Sequence, residues 1–329
     1  MKSRVVKDFL RRTVVDLYKG MMNSISSSIY MMKKYEWKRS FRPVTSPLLV
    51  FNVGDYFYSG GMADRFKGAV SAYAYCKQRN IEYRIRYVFP FELSDYIMPA
   101  EYDWKLKENE YTQCVRDARV MYARAELGPR LARQKIGRRQ LHYYGNYDNL
   151  EYLNRTGGTD YKWGELFKEL FKPCPAIEQA VSAKTGEIGA PYVSAVFRFQ
   201  NLLGDFKEYK YSTLESQQER EELIEKCLHG IDIIKEKHPG MPVLVTSDSG
   251  VFVRRASQVP GVHVVGGDRV HIGSNTSDNK DTYLNSFVDF YMLAGSQKIY
   301  SVQAGRMYAT NFPAYAAKLN DIGFDRIWL

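Results

Sequence analysis

The chain has 329 residues, 45% hydrophobic and 26% charged, with a formal net charge of +10. That length exceeds one ordinary core and suits two domains of ~150 residues, and the composition excludes a disordered chain. The charge fits nucleic acid, an anionic membrane surface or a phosphorylated substrate. No RNP-like aromatic strand, zinc-finger spacing or sustained Lys/Arg stripe accompanies it, which disfavours nucleic acid.

Residues 1–45 open with a basic segment whose apolar residues Val5, Phe9, Val14, Leu17 and Met21 recur at helical spacing. Such a segment lies on an anionic membrane or packs against its own domain, and the second is the more frequent outcome. It lacks the apolar core of a signal peptide, and no apolar run reaches the ~20 residues of a membrane span. "PLLVFNV" then reads as a strand, "MADRFKGAVSAYAYCKQ" as a helix and "YRIRYVF" as a second strand, with Gly60 and Gly61 in the loop before the helix. Leu106 to Arg139 reads as helical, and a loop-rich stretch follows from His142 to a helix ending near Leu170. Pro and Gly accumulate in "KPCPAIEQAVSAKTGEIGAP", which places a domain boundary at 185/186.

The second half alternates more cleanly. "VSAVFRF" reads as a strand, and the helix that follows carries Leu223, Cys227, Ile231 and Ile234 on one stripe. Then come strand "PVLVTS", a short helix at "GVFVRRAS", strand "VHVVGG", helix "TYLNSFVDFYMLAGS", strand "KIYSV" and helix "NFPAYAAKLN". Repeated β-α units imply an α/β fold with mostly parallel sheets, of Rossmann type in each domain.

Ligands of such sheets bind outside the carboxyl ends of the strands. Three of those ends carry Arg198, the run Thr246-Ser247-Asp248-Ser249, and "QAGRMYATNF". A cation, a hydroxyl and carboxylate cluster, and a small-residue turn before a helix suit a nucleoside diphosphate. An alternative stays open: Asp248 and Ser249 cap the next helix, and Arg198 pairs with Asp205. Asp289 interrupts the apolar face of "FVDFYML" and needs a partner, either a nucleotide base or ribose or a structural Arg or Lys. The chain has no GxGxxG after its first strand and no GxxxxGK[ST], so a nicotinamide, flavin or P-loop site is not indicated. Its five histidines lack ligand spacing and no DxD occurs, so no catalytic metal is expected. Cys76, Cys114, Cys174 and Cys227 form no CxxC, as in a reducing compartment. The 26 tyrosines suit a cleft for sugars, and equally half-buried faces where Tyr replaces Phe.

"VSAVFRFQNLLGDF", "VLVTSDSGVFV", "SFVDFYMLAGSQKIYSV" and "MYATNFPAYAAKL", in that order, resemble the donor-domain motifs of the GT-B fucosyltransferase superfamily. "SGGMADRFKGAVSAYAYCKQRNIEYRI" resembles the glycine-containing loop and first helix of the family's acceptor domain, so the likeness spans residues 48 to 320. The resemblance implies two Rossmann-type domains facing a central cleft. Residues 1–185 form the acceptor-side domain, with Gly60, Gly61 and Arg65 in its loop, and residues 186–329 the donor-binding domain. It implies an inverting, metal-independent transfer of fucose from GDP-fucose to a glycan hydroxyl, in surface-polysaccharide assembly on the cytoplasmic side. The acceptor would be lipid-linked, with peripheral membrane contact through residues 1–45. Arg198 would hold the β-phosphate, Ser247, Asp248 and Asp289 the nucleoside, and Thr310, Asn311 and Phe312 the phosphates. Asp64 and Asp205 are the candidates for the general base. Phe197 stands where many members have a histidine, Thr310-Asn311 replaces two serines, and Gly61 stands where some have a catalytic Asn. Two other classes compete: a non-catalytic glycan-binding α/β protein and a basic nucleic-acid-binding protein.

Overall fold

The computed structural model describes residues 2–37, 46–123, 129–137, 139–205, 212–266 and 280–329. The chain divides into two compact units, residues 1–95 with 99–172, and residues 96–98 with 173–329. The boundary expected at 185/186 falls inside a helix of the second unit, Pro175–Ile188. Pro175 starts that helix, and Gly189, at φ +69°, caps it in the left-handed region. The proline and glycine that suggested a linker are thus the start and stop of a helix.

The first unit holds a four-stranded parallel sheet in the order Glu82–Tyr87, Leu48–Val53, Gln140–Gly145, Ala118–Ala123. All six residues of Leu48–Val53 are buried, as a central parallel strand requires. Helix Met62–Arg79 covers one face. Gly68 brings it against the sheet: a Cβ there would stand 1.9 Å from the carbonyl oxygen of Gly145. The stretch read as helical from Leu106 to Arg139 instead contains strand Ala118–Ala123 and the short helix Pro129–Ala132. "ARVMYA" alternates too weakly to announce an edge strand, because a helix packs beside it.

That helix is Lys2–Lys34. A strand at a sheet edge leaves alternate N–H groups unpaired unless something covers them. Here Met31 Sδ accepts the Val120 N–H at 3.4 Å and Ser27 Oγ accepts the Tyr122 N–H at 3.0 Å.

The sheet face opposite helix Met62–Arg79 is polar. Register and the two-residue period of strands put Asn52, Arg84, Arg86, Gln140, His142 and Tyr144 on it. Arg84 pairs with Glu110 at 3.0 Å, and Arg86 with Asp55 at 2.8 Å. His142 is fully buried, stacks on Tyr111 at 4.3 Å, and contacts Tyr35 through Nδ1. Its Nε2 lies 3.0 Å from Gln140 Oε1, which also accepts from the Thr112 N–H. An amide oxygen only accepts, so Nε2 carries the proton and Nδ1 accepts from the Tyr35 hydroxyl.

The second unit holds a five-stranded parallel sheet in the order Gly323–Trp328, Lys298–Gln303, Val193–Phe197, Val243–Ser247, Val262–Val264. Reading outward from the first strand of the unit, the order reverses between Val193–Phe197 and Lys298–Gln303, which is a topological switch point. The terminal strand Gly323–Trp328 is half exposed with no strong alternation, and the sequence reading missed it. Helix Gln217–Lys237 starts at a capping box between Ser216 and Glu219 and sets Leu223, Cys227, Ile231 and Ile234 into the core, with Phe197, Phe252 and Val302.

Burial, with Arg86 adding to it, pulls the His142 pKa from 6.5 down to about 3. Unfolding therefore takes up a proton as the pH falls from ~6.5 toward 3, and the neutral ring's contribution to stability, complete above ~6.5, is lost over that window. Denaturation from pH 7 to 4 should show stability falling up to ~1.4 kcal/mol per pH unit more steeply in the wild type than in His142→Gln. Equal slopes would mean that the ring is charged in the fold.

Candidate functional site

At the carboxyl end of strand Val193–Phe197 the chain makes a sharp turn on a single carboxylate. Asp248 accepts from Arg198 at 2.7 Å, from the Phe199 N–H at 2.8 Å and from the Gln200 N–H at 2.7 Å. Gln200 reaches this geometry in the left-handed region, at φ +55°. The Asp248 side chain is 5% exposed and that of Arg198 is 16% exposed. Burial pushes the Asp248 carboxyl upward, against the opposing pull of Arg198 and the two amides. Arg198 also accepts the Tyr308 N–H through its carbonyl, which ties it to the turn after the neighbouring strand.

The arginine thus pairs with Asp248, where the sequence suggested Asp205. Asp205 has other work: its Oδ2 accepts from Ser249 Oγ at 2.9 Å and from the Val251 N–H at 2.8 Å. Ser249 Oγ in turn accepts the Phe252 N–H, so both residues cap helix Gly250–Ala256. Both contacts engage Oδ2, so one oxygen of Asp205 is committed to capping that helix. Ser247 Oγ accepts the Ser249 N–H. The described bonds of Ser247 and Asp248 therefore run within the protein.

The strand on the other side of the switch point ends at Gln303, which is buried, and whose Oε1 has no hydrogen-bond partner among the described residues. A buried amide oxygen left unpaired is costly and calls for a donor. This residue was passed over in the sequence because "YSVQAG" reads as an ordinary strand end. Only the sheet order sets Gln303 beside Arg198.

The turn beyond it leads to helix Phe312–Asn320. Thr310 Oγ1 accepts the Phe312 N–H at 3.2 Å, and Asn311 Oδ1 accepts from Arg326 at 3.2 Å. Pro313 has no N–H, so the first two helical positions offer a phosphate no unshared amide. Asp289 is buried on helix Lys280–Ala294, next to Phe290, whose ring meets that of Phe312 at 5.6 Å.

In the first unit, Arg65 is buried and clasps the glycine loop. It donates to the carbonyls of Gly60 at 3.0 Å and Phe89 at 2.7 Å, and to the Tyr87 hydroxyl. Gly60 sits at φ +75°, and a Cβ there would lie 2.5 Å from Asp64 Oδ2, so the loop needs glycine on both counts. Asp64 is partly exposed and pairs with Lys67 at 2.5 Å. Gly61 is the residue before helix Met62–Arg79 and contributes only backbone. Among the described residues no group of three or more His, Cys, Asp or Glu could hold a metal ion. No helix among them is long and apolar enough to cross a membrane.

No protein-family model matches the chain, and no curated protein sequence matches it. Solved structures do. The NodZ α-1,6-fucosyltransferase soaked with GDP-fucose superposes at a TM-score of 0.50 and 11% identity, over 84% of this chain and 93% of that one. An Arabidopsis thaliana FUT1 variant in complex with GDP superposes at 0.54 and 11% identity, over 92% of this chain and 74% of that one. The chain therefore has a fucosyltransferase-like GT-B fold, as the motif order implied.

Removing Asp248 leaves Arg198 and two buried amides without their acceptor. Asp248→Ala should lower stability by roughly 3–5 kcal/mol, whereas Asp205→Ala should cost only the ~1 kcal/mol of a lost helix cap. Denaturant melts decide it, and the reverse order would assign the anchoring role to Asp205.

Proposed function

We propose that the protein is a glycosyltransferase that takes a GDP-sugar, GDP-fucose in the first instance, and moves the sugar to a glycan hydroxyl with inversion. The observation that carries this reading is the buffered arginine at the switch point of the second sheet: Arg198 at a strand's carboxyl end, held by Asp248. The fold it shares with enzymes solved with GDP-fucose or GDP supports the same reading. The second unit is the donor side and the first the acceptor side.

The acceptor oxygen attacks the anomeric carbon while the bond from that carbon to the β-phosphate oxygen breaks, and GDP leaves with the electron pair. Negative charge grows on the β-phosphate, and a fixed cation there lowers the barrier. A guanidinium has five donors and can serve Asp248 and a phosphate together. Gln303 Oε1 accepts a donor of the sugar-nucleotide, and Asp289 lies on the nucleoside side. Because Thr310 and Phe312 bond each other, the Thr310–Phe312 turn shapes the pocket wall more than it supplies amides. Asp64 is the candidate general base, and Gly60, Gly61 and Arg65 build the loop that carries it. The reaction needs no metal and no cofactor beyond the donor. The acceptor glycan is lipid-linked and the protein works at a cytoplasmic membrane surface.

GDP at 100 times its Kd should stabilise the protein by ~2.7 kcal/mol. UDP or CMP at the same concentration should do less, and EDTA should leave turnover unchanged. The decisive variant is Arg198→Lys, which keeps a cation for Asp248 but loses the fork. It should melt near the wild type while kcat falls toward the ~10²–10³-fold loss of a missing donor. A normal kcat in Arg198→Lys, or a strict metal requirement, would sink the proposal.

A further inference from the structure

The helix Lys2–Lys34 is docked the wrong way round for a soluble protein. A surface helix ordinarily turns its apolar stripe to the core and its polar face to water. Here the face against the sheet presents Gly20, Asn23, Ser27 and Tyr30, all buried; Ser27 Oγ takes the Tyr122 N–H, the Tyr30 hydroxyl donates to Asp55 at 3.1 Å, and the Tyr30 ring, the one large apolar group of the four, packs with Phe57 and Tyr144. The opposite face presents Val15, Tyr18, Met21, Met22, Ile25 and Met32, every one exposed, Tyr18 at 60% and Met32 at 61%. At 100° per residue these six fall within an arc of about 120°. Water is a poor neighbour for such a surface, and contiguous exposed apolar patches mark interaction sites.

The charge on the segment selects the partner. Residues 1–45 hold 11 of the 47 Lys and Arg but only 3 of the 37 Asp and Glu, and so carry +8 of the chain's +10. Lys19, Lys33 and Lys34 are exposed on the same helix. A second copy would bring one such segment against another, like charge on like, with only Asp8, Asp16 and Glu36 to offset it. An anionic bilayer offers both what the stripe and what the lysines need: hydrocarbon beneath the headgroups and negative charge at their level. Tyr18 and the exposed Trp37, rings with a polar edge, fit the same depth.

We propose that this helix lies in the surface of an anionic membrane, with the Val15–Met32 face inserted and the Gly20–Tyr30 face carrying the folded unit. The proposal deepens the membrane part of the functional reading and names the face and the lipid charge. It does not depend on the sugar-nucleotide assignment, because GDP titration in solution tests that separately.

The test is sedimentation of the full chain with vesicles of phosphatidylcholine alone or with 30 mol% phosphatidylglycerol. Binding should require the anionic lipid and should weaken at least 10-fold in 0.5 M salt, where the Debye length shrinks to a few ångströms. Met22→Glu/Ile25→Glu changes two exposed positions, so its thermal melt and GDP affinity should match the wild type while vesicle binding falls at least 10-fold. Failure of the wild type to bind anionic vesicles would overturn the proposal, as would unchanged binding by the double variant. So would a wild-type dimer in light scattering that the double variant converts to monomer, since that result assigns the stripe to a second copy.

Discussion

The second unit turns on one buried carboxylate. Strands Val193–Phe197 and Val243–Ser247 run side by side, and the residue after each must leave the sheet without leaving a bare backbone N–H. Asp248 solves this for its neighbour by collecting the amides of Phe199 and Gln200, and its Oδ2 also accepts from the Arg198 guanidinium. The ion pair favours one placement of the arginine, where an unanchored rim arginine would have many. Holding a cation still before the substrate arrives is what electrostatic preorganisation requires, because no free energy is then spent reorienting it when charge develops. The fold uses the pair for its backbone, and the proposed chemistry would use it for its geometry.

The first unit obeys a different constraint. Its sheet has one apolar face, under helix Met62–Arg79, and one polar face, where His142, Gln140, Arg84 and Arg86 are buried or nearly so. A buried polar layer is tolerable only when its donors and acceptors are paired. The tyrosines do that work: Tyr35 on His142, Tyr111 stacked on the same ring, and Tyr144 and Tyr30 in series with Asp55 and Arg86. These four of the 26 tyrosines thus belong to the wall of a sheet. The amino-terminal helix docks through Ser27 and Met31 where it meets the amides of the edge strand, and through the Tyr30 ring where it meets Phe57 and Tyr144.

How much of this was legible beforehand follows from where the signals lie. The β-α alternation of the second unit was readable because its strands, such as "VSAVF" and "VLVTS", are buried on both faces and its helices carry clean stripes. Arg198 stood out because a charged residue at once after a buried run is rare. Its partner did not. Asp205 and Asp248 are equally plausible on paper, and only the adjacency of two strand ends, with Ser249 drawing Asp205 toward a helix start, separates them. The strand Ala118–Ala123 was hidden because it forms its outer hydrogen bonds to side chains of a distant helix, which leaves no period in its own sequence. Gln303 was invisible for a related reason. Its meaning comes from the strand beside it, more than a hundred positions away in the chain.

Under the proposed function, the second unit would select a diphosphate by more than its charge. A lone cation would attract any anion, including inorganic phosphate, in proportion to charge. The switch point adds shape to that charge. Arg198 is tied to Asp248, Gln303 on the neighbouring strand has an Oε1 with no hydrogen-bond partner among the described residues, and Thr310 accepts the Phe312 N–H in the turn beyond it. Under the proposed function, a ligand that brings both an anion and a hydrogen-bond donor satisfies Arg198 and Gln303 together, and a phosphate alone leaves Gln303 unpaired. Discrimination of this kind comes from the cost of a polar group left without a partner, which exceeds what one added hydrogen bond contributes. Under the proposed function, Gln303 would therefore add to the selectivity that Arg198 begins.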